Sequence, residues 1–261
     1  MTRVFLVASV VALLFNVDGW AQAKAPSREY QEKYQQAAQA FANNQFDEAL
    51  RLLDEADKIE PNVSHGFNLR GAIFTKKRDF DQAEAMFKKT LEIDPGVNLA
   101  LFNLGEVAFL QKSYPEAKKR FQRFIEKNGS NDLGEFKIFL CDLMGGNVEA
   151  ARKAAKGFPL SPTTPLRYYA LAAVAFQDGK EEEAVEYIRS AAAIYPAGQN
   201  NAFADSFLEL GWLKRAEQES FGLQEQSAIP ETVLRPMSGE GAESAQPAPA
   251  PPNFEGLLPG N

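Results

Sequence analysis

Residues 64–97 read SHGFNLRGAIFTKKRDFDQAEAMFKKTLEIDPGV, and this stretch decides the fold. Apolar residues three or four positions apart, such as Phe87 and Leu91, follow the spacing of one face of an α-helix. Gly71 and Ala83 are small enough to let two helices approach closely. Pro95 ends the unit, because proline cannot continue a helix and disfavours helical backbone in the residue before it. The stretch therefore predicts two short helices packed closely against each other.

The same features recur along the chain with a period of about 34 residues. Alanines in the second half of each unit are spaced by 34, 34, 33 and 34 residues: Ala49, Ala83, Ala117, Ala150 and Ala184. Three units have a proline 12 positions after the alanine, and four have a small residue upstream: Pro61, Pro95 and Pro196, and Ala37, Gly71, Gly105 and Ala172. Coincident series at one period indicate a structural repeat.

This pattern resembles the tetratricopeptide repeat family, in particular its exported bacterial-type members. The resemblance implies an all-α fold, a right-handed superhelical solenoid of helix–turn–helix units. It covers about two thirds of the chain, in units at 30–63, 64–97, 98–130, 131–164 and 165–198. The unit at 131–164 is degenerate, since Gly134 and Lys137 replace apolar residues and three prolines crowd its exit. We expect a short second helix and an extended connector there.

The first 23 residues, MTRVFLVASVVALLFNVDGWAQA, have the order of a secretory signal peptide. Arg3 precedes an apolar run, and a small-x-small site ends at Ala23, after which we expect cleavage and export to the periplasm or the medium. A retained membrane anchor is the alternative, but a spanning helix needs roughly 20 apolar residues, and Asn16 and Asp18 interrupt this run. The mature chain has no other run long enough to span a membrane.

The remaining segments flank the repeats. Residues 24–29 are a predicted linker, and residues 199–219 a predicted capping helix, because stacked repeats need an end piece that hides the last apolar face. From residue 220 the helical pattern stops. Seven of the 15 prolines lie between Pro230 and Pro259, and Glu217 to Asn261 contains seven acidic residues and one basic residue. We therefore predict a disordered, acidic, proline-rich tail at 220–261.

The residue inventory argues against catalysis. The chain has one cysteine, Cys141, and one histidine, His65, so neither an intrachain disulfide nor a Cys/His metal cluster can form. Cys141 is expected to be a small buried hydrophobe, and His65 an exposed residue at a helix start, with hydrogen bonding on the inner surface as its alternative role. The net charge of −7 argues against nucleic acid as the main partner. We predict no enzymatic activity, no cofactor, no bound metal and no small-molecule substrate; the expected partner is a protein or a peptide.

The resemblance also implies a binding surface. In the family, side chains of the first helices line a concave groove that takes peptides, and the corresponding positions here hold Tyr34, Phe41, Asn68, Thr75, Phe102, Phe109, Glu135, Phe139, Tyr169 and Phe176. Aromatic side chains with a few polar groups suit an apolar helix or an extended segment. Packing between neighbouring repeats is the alternative role of these aromatic residues.

Basic residues concentrate in the second helices of the middle units, which face the convex side in the family. This basic band comprises Lys88, Lys89, Lys118, Lys119, Arg120, Arg123, Arg152, Lys153 and Lys156. It is either a landing surface for an acidic partner or for the chain's own acidic tail, or an ordinary solvated surface. The first interpretation would make the protein a structural subunit of an envelope or secretion assembly rather than a groove-binding scaffold.

Overall fold

The computed structural model describes residues 26–214 and 221–222; the predicted signal peptide and most of the predicted tail lie outside these residues. The described part contains eleven α-helices and no strand, which confirms the all-α solenoid. The helices are α1 (Arg28–Ala42), α2 (Phe46–Ile59), α3 (Ser64–Lys76), α4 (Phe80–Ile93), α5 (Leu99–Leu110), α6 (Tyr114–Asn128), α7 (Asp132–Met144), α8 (Val148–Gly157), α9 (Leu166–Gln177), α10 (Glu181–Ile194) and α11 (Ala197–Glu209).

The helices form five hairpins, each made of a first helix and the second helix that follows it, and α11 stands alone at the end. Along the stack, first helices contact one another: α1 touches α3, α3 touches α5, and α7 touches α9. Successive second helices of the described part contact each other less extensively. The first helices therefore lie on the inner face of the solenoid and the second helices on its outer face.

Every first helix ends in the same turn. One residue in each of the five turns has a positive φ, between 58° and 93°: Asn44, Arg78, Lys112, Gly146 and Gly179. The backbone N–H of the next residue donates to the carbonyl five positions earlier, at 2.8–2.9 Å. This is the Schellman cap, which satisfies carbonyls left free at a helix end. The sequence did not reveal it, because three of these five positions are not glycine.

The small residues of the first helices lie where the second helix comes closest. A Cβ atom added at Gly71 would stand 2.5 Å from the ring of Phe87, and one added at Gly105 would stand 2.6 Å from the ring of Phe121. Both rings are almost fully buried. Only a hydrogen atom fits between these helices, so glycine is required at both positions.

The alanine series is confirmed with one correction. Ala49, Ala83, Ala117 and Ala184 are fully buried, but Ala150 is exposed and Ala151 is buried instead. Ala151 is the fourth residue of its helix, as the other four alanines are of theirs. Because Ala150 and Ala151 are adjacent, the sequence alone does not show which of them is the buried alanine of the repeat.

The fourth hairpin and the C-terminal end depart from the regular pattern. Helix α8 has 10 residues, and residues 158–165 form a non-helical connector held by Tyr195, whose hydroxyl donates to the Ser161 carbonyl at 2.6 Å. The predicted capping helix at 199–219 is too long, since α11 ends at Glu209. It stops there because Gly211 has a φ of 72° and the Trp212 N–H donates to the Phe207 carbonyl, which is the same cap that ends the first helices.

We expect Gly105→Leu to lower the free energy of unfolding by about 3 kcal/mol, because the new side chain would enter the space of the Phe121 ring. Urea unfolding followed by circular dichroism measures this change. Gly157→Leu is the matched control, since Gly157 is also helical but has no atom within 4 Å of an added Cβ. Equal stability of both variants would contradict the close approach of α5 and α6.

Candidate functional site

The nine predicted groove residues all lie on first helices, but they differ in exposure. Phe41, Thr75, Phe102 and Phe176 are half-buried. The other five are buried: Tyr34, Asn68, Phe109, Phe139 and Tyr169. Packing between helices thus buries much of the predicted groove surface. Glu135, which occupies a corresponding position on α7, is half-buried.

The inner face of α1, α3 and α5 retains accessible side chains. Asn68, Ala72 and Thr75 lie on one face of α3, and Ala72 and Thr75 are half-buried. Asn68 accepts a hydrogen bond from the Asn103 amide at 3.2 Å, which links α3 to α5. Phe102 packs against the rings of Phe121 and Phe124 with centroids 5.2 and 5.3 Å away. We call the inner surface formed by Phe41, Ala72, Thr75 and Phe102 the open wall.

The inner face of α7 and α9 is covered by α11. Phe203 of α11 stacks on Tyr169 at 5.4 Å, and Phe207 lies 6.1 Å from Phe136. Phe176 stacks on Trp212, just beyond α11, at 5.6 Å. Tyr169 is fully buried by this packing. In the C-terminal half, Tyr169 and Phe176 of the predicted groove therefore pack against aromatic residues of α11. Phe139 packs against Phe158, beyond the end of α8, instead.

A buried ionic cluster lies where α11 meets the rest of the molecule. The Lys137 ammonium of α7 lies 2.8 Å from the Glu106 carboxylate of α5 and 3.8 Å from the Glu209 carboxylate of α11. Only 4% of the Lys137 side chain is exposed. Lys137 replaces an apolar residue of the repeat, but the sequence does not predict its partners, because they lie 31 and 72 positions away.

Burial controls the protonation of this cluster. It raises the pKa of the Glu106 carboxyl to about 7, although nearby Lys137 acts in the opposite direction. Burial alone would lower the pKa of Lys137, but the carboxylates of Glu106 and Glu209 outweigh it and raise that pKa. One oxygen of Glu106 and one of Glu209 are buried without a hydrogen-bond partner in the described part. The cluster thus holds α5, α7 and α11 together through one charged lysine.

The basic band on the second helices is partly neutralised by acids of neighbouring hairpins. Lys118 contacts Asp142 at 2.7 Å, Arg120 contacts Glu84 at 2.8 Å, and Arg152 pairs with Asp178. Within the described residues, Lys119, Arg123, Lys153 and Lys156 make no ion pair of this kind. Within the basic band, unneutralised charge is therefore confined to parts of α6 and α8.

A cleft of about 520 Å³ opens between α4 and α6 at the edge of this band. Leu91, Leu101 and Leu104 form its apolar floor, and Lys119, Arg123 and Lys127 of α6 are among the residues of its rim. We call it the outer cleft. The sequence showed the basic residues but not the apolar floor, because α5 contributes two of its three leucines.

The structure confirms one of the two single-residue predictions. Cys141 is buried, and burial raises the pKa of its thiol to about 12, so the reactive thiolate is disfavoured. His65 is half-buried rather than exposed, since its ring meets Tyr34 edge-on at 6.5 Å. Burial lowers the pKa of this imidazole. His65 therefore supports the contact of α1 with α3.

Residues 26–214 and 221–222 contain neither a candidate metal site nor a candidate membrane-spanning helix. No three of their His, Cys, Asp and Glu side chains are grouped so that they could hold a metal ion. None of their helices combines the length and the apolar character needed to span a membrane.

We expect Lys137→Met to destabilise the fold more at high pH than at low pH. A carboxyl whose pKa is raised from 4.5 to about 7 keeps, on folding, a proton that the unfolded chain releases, so its contribution to stability falls as pH rises through this range. Without Lys137, the charged Glu106 has no buried partner, and we expect a loss of about 3 kcal/mol near pH 8 and a smaller loss near pH 5. Urea unfolding at both pH values measures it.

Lys153→Met is the control for this prediction, since Lys153 is exposed. It should leave the stability nearly unchanged at either pH. A loss in Lys137→Met that is independent of pH would show that Glu106 does not depend on Lys137.

Models of the tetratricopeptide repeat match residues 69–132 and 167–197 of the chain. Among solved structures, PilW, a widely conserved type IV pilus biogenesis factor, is 17% identical with a TM-score of 0.51, and the match covers 80% of this chain and 98% of that one. TTC0263, a thermophilic TPR protein of Thermus thermophilus, is 19% identical with a TM-score of 0.52, covering 69% and 99%. At these identities the likeness shows the fold alone.

The curated proteins gave no match. The repeat matches and the solved structures nevertheless agree with the geometry of the five hairpins. The chain therefore contains tetratricopeptide repeats, stacked in an all-α solenoid.

Proposed function

We propose that this protein is an interaction scaffold that binds a polypeptide segment of a partner along the open wall. The observation that carries the proposal is that the two halves of the inner face differ in what covers their side chains. In the C-terminal half, α11 covers the aromatic residues of α7 and α9. In the N-terminal half, Phe41, Thr75 and Phe102 remain half-buried. Their neighbours Tyr34, Asn68 and Phe109 are buried by packing between helices.

The chemistry of the open wall favours a mainly apolar guest with some hydrogen-bonding groups. Phe41 and Phe102 offer aromatic surface one hairpin to either side of α3. The amides of Asn68 on α3 and Asn103 on α5 are linked by a hydrogen bond. Aromatic surface interrupted by amide groups suits an amphipathic helix or an extended segment, whose apolar side chains pack while its polar groups are hydrogen-bonded.

Binding is proposed rather than catalysis. Repeat proteins of this architecture offer long inner surfaces to other chains. Cys141, the one cysteine of the chain, is buried, and burial raises the pKa of its thiol, which disfavours the nucleophilic thiolate. Reaction chemistry would need an activated group in an accessible pocket.

The setting proposed for this scaffold is the cell envelope or the medium. The support is the sequence of residues 1–23, with its basic start, its apolar run and its small-x-small site before residue 24. Cleavage after Ala23 would leave three residues before Ser27, whose side chain caps α1.

A second candidate function is that of a structural subunit of an envelope assembly, acting through the outer face. The outer cleft favours it, since an apolar floor beneath basic side chains is suited to contact with an acidic segment. Charge reversal at Lys119 and Arg123 would abolish assembly in this case and leave binding at the open wall unchanged.

Photo-cross-linking in cells tests the proposed function. A photoreactive phenylalanine analogue is placed in separate variants at Phe41, Thr75 and Phe102. We expect the same partner to be captured at all three positions, through sites that follow one another in order along one continuous segment of it. Unrelated proteins at the three positions, or scattered sites in one partner, would reject the groove as the binding surface.

Replacing one of two alanines of the second hairpin by arginine, in separate variants, supplies the matched control. Ala72→Arg places a long charged side chain on the open wall, and we expect it to reduce capture at Phe102 by roughly tenfold or more. Ala85→Arg makes the same change at an exposed position of α4. It should leave capture unaffected, and equal loss in both variants would indicate a nonspecific effect of charge.

A further inference from the structure

The outer cleft carries more positive charge than its surroundings neutralise. Arg120 is compensated, since it contacts Glu84 and Glu116 at 2.8 Å each. Lys88 contacts Glu84 at 3.2 Å. Lys119, Arg123 and Lys127, in contrast, have no ion-pair partner within the part of the chain that the structure describes. Three free cations therefore stand beside an apolar floor.

We propose that the outer cleft binds residues 253–258 of the chain's own tail, which read Asn-Phe-Glu-Gly-Leu-Leu. Phe254, Leu257 and Leu258 match the leucine floor, and Glu255 matches the basic rim. This segment contains no basic residue. It combines the two properties that the cleft requires, apolar side chains and a carboxylate.

The start of the tail lies on the side of the molecule where the cleft opens. The Phe221 ring packs against α10, with the Arg189 guanidinium 6.0 Å from its centroid. Helix α10 is a second helix, as are α4 and α6, which flank the cleft. The chain therefore begins its tail on the outer face and does not need to cross the inner face to reach the cleft.

The tail is also long enough. Four steps between neighbouring helices separate α10 from α6, which at 8–10 Å per step amount to at most about 40 Å. The 32 residues from Gly222 to Phe254 can bridge at most roughly 105 Å, at about 3.3 Å per residue, which exceeds this distance. A tether of this kind holds the segment at an effective concentration in the millimolar range. A contact that would be weak between separate molecules is then sufficient.

Another apolar segment of the tail fits less well. Residues 229–237 contain Ile229, Val233, Leu234 and Met237, but Arg235 cancels the charge of Glu231. This segment would bring a cation to a rim that already has three free ones. It serves as an internal control for the proposal.

Zero-length carbodiimide coupling of the full mature chain, followed by mass spectrometry, tests the docking. The reagent joins a carboxylate to an amine in direct contact, so docking should couple Glu255 to Lys119 or Lys127. Lys153 and Lys156 of α8 are equally exposed and lie nearer to α10, so a freely sampling tail would couple to them at least as often. We expect a preference for the cleft lysines of at least roughly fivefold, and no such preference for Glu231.

Two variants and an isotope label complete the experiment. Phe254→Ser combined with Leu257→Ser keeps Glu255 but removes apolar contacts, and should lower its coupling to the cleft lysines by roughly tenfold. Arg123→Glu should do the same while keeping both lysines. Mixing unlabelled with ¹⁵N-labelled protein distinguishes coupling within one chain from coupling between two copies.

Equal coupling of Glu255 to the lysines of α6 and α8 would overturn the proposal, as would products that join two differently labelled chains. Insensitivity to both variants would also overturn it. These outcomes are separate from the fate of the open wall, because no residue changed here lies on the inner face.

Discussion

The close approach of the two helices in each hairpin is the constraint on which the rest of the structure depends. Where the second helix contributes a phenylalanine, at Phe87 and Phe121, the first helix has a glycine against the ring. In the first and fifth hairpins the equivalent positions combine Ala37 with Leu53 and Ala172 with Ile188, all fully buried. A larger residue on the second helix thus goes with a smaller residue on the first helix. The hairpins therefore keep a similar geometry and can stack. A repeat protein needs this regularity, because each unit buries its apolar face only against its neighbours.

Stacking alone would leave the whole inner face accessible, and α11 changes this in the C-terminal half. Its aromatic residues bury Phe136 and Tyr169, and its Glu209 approaches the buried Lys137. A buried lysine with carboxylates on two other helices stabilises the fold little by itself, since desolvation of the charges offsets their attraction. It does penalise any arrangement in which Lys137 loses its partners. We infer that the ionic cluster fixes the position of α11 and thereby determines how much of the inner face stays open.

The two faces of the solenoid differ in the kind of contact that they offer. The open wall presents aromatic and amide groups, whereas the outer face presents charges. Many of these charges link neighbouring hairpins, as Lys118 does with Asp142, and such partly exposed pairs contribute at most about 1 kcal/mol each. The outer cleft is the exception, because apolar floor and free cations coincide there. The two proposals together describe a scaffold that binds a partner on the inside while its own tail occupies the outside.

The sequence by itself determined the repeat, the helical hairpins and the need for small residues, because these depend on contacts within about 34 residues and recur at a fixed period. It also predicted which positions face inward. Only the tertiary structure decided which of them remain accessible: Tyr169 and Phe102 are equivalent in the repeat, yet α11 buries the first and not the second. The partners of Lys137, the floor of the outer cleft and the burial of His65 against Tyr34 were likewise decided there. The physical reason is that exposure and charge compensation depend on side chains from other hairpins. A local sequence pattern does not show which of these side chains pack at a given position.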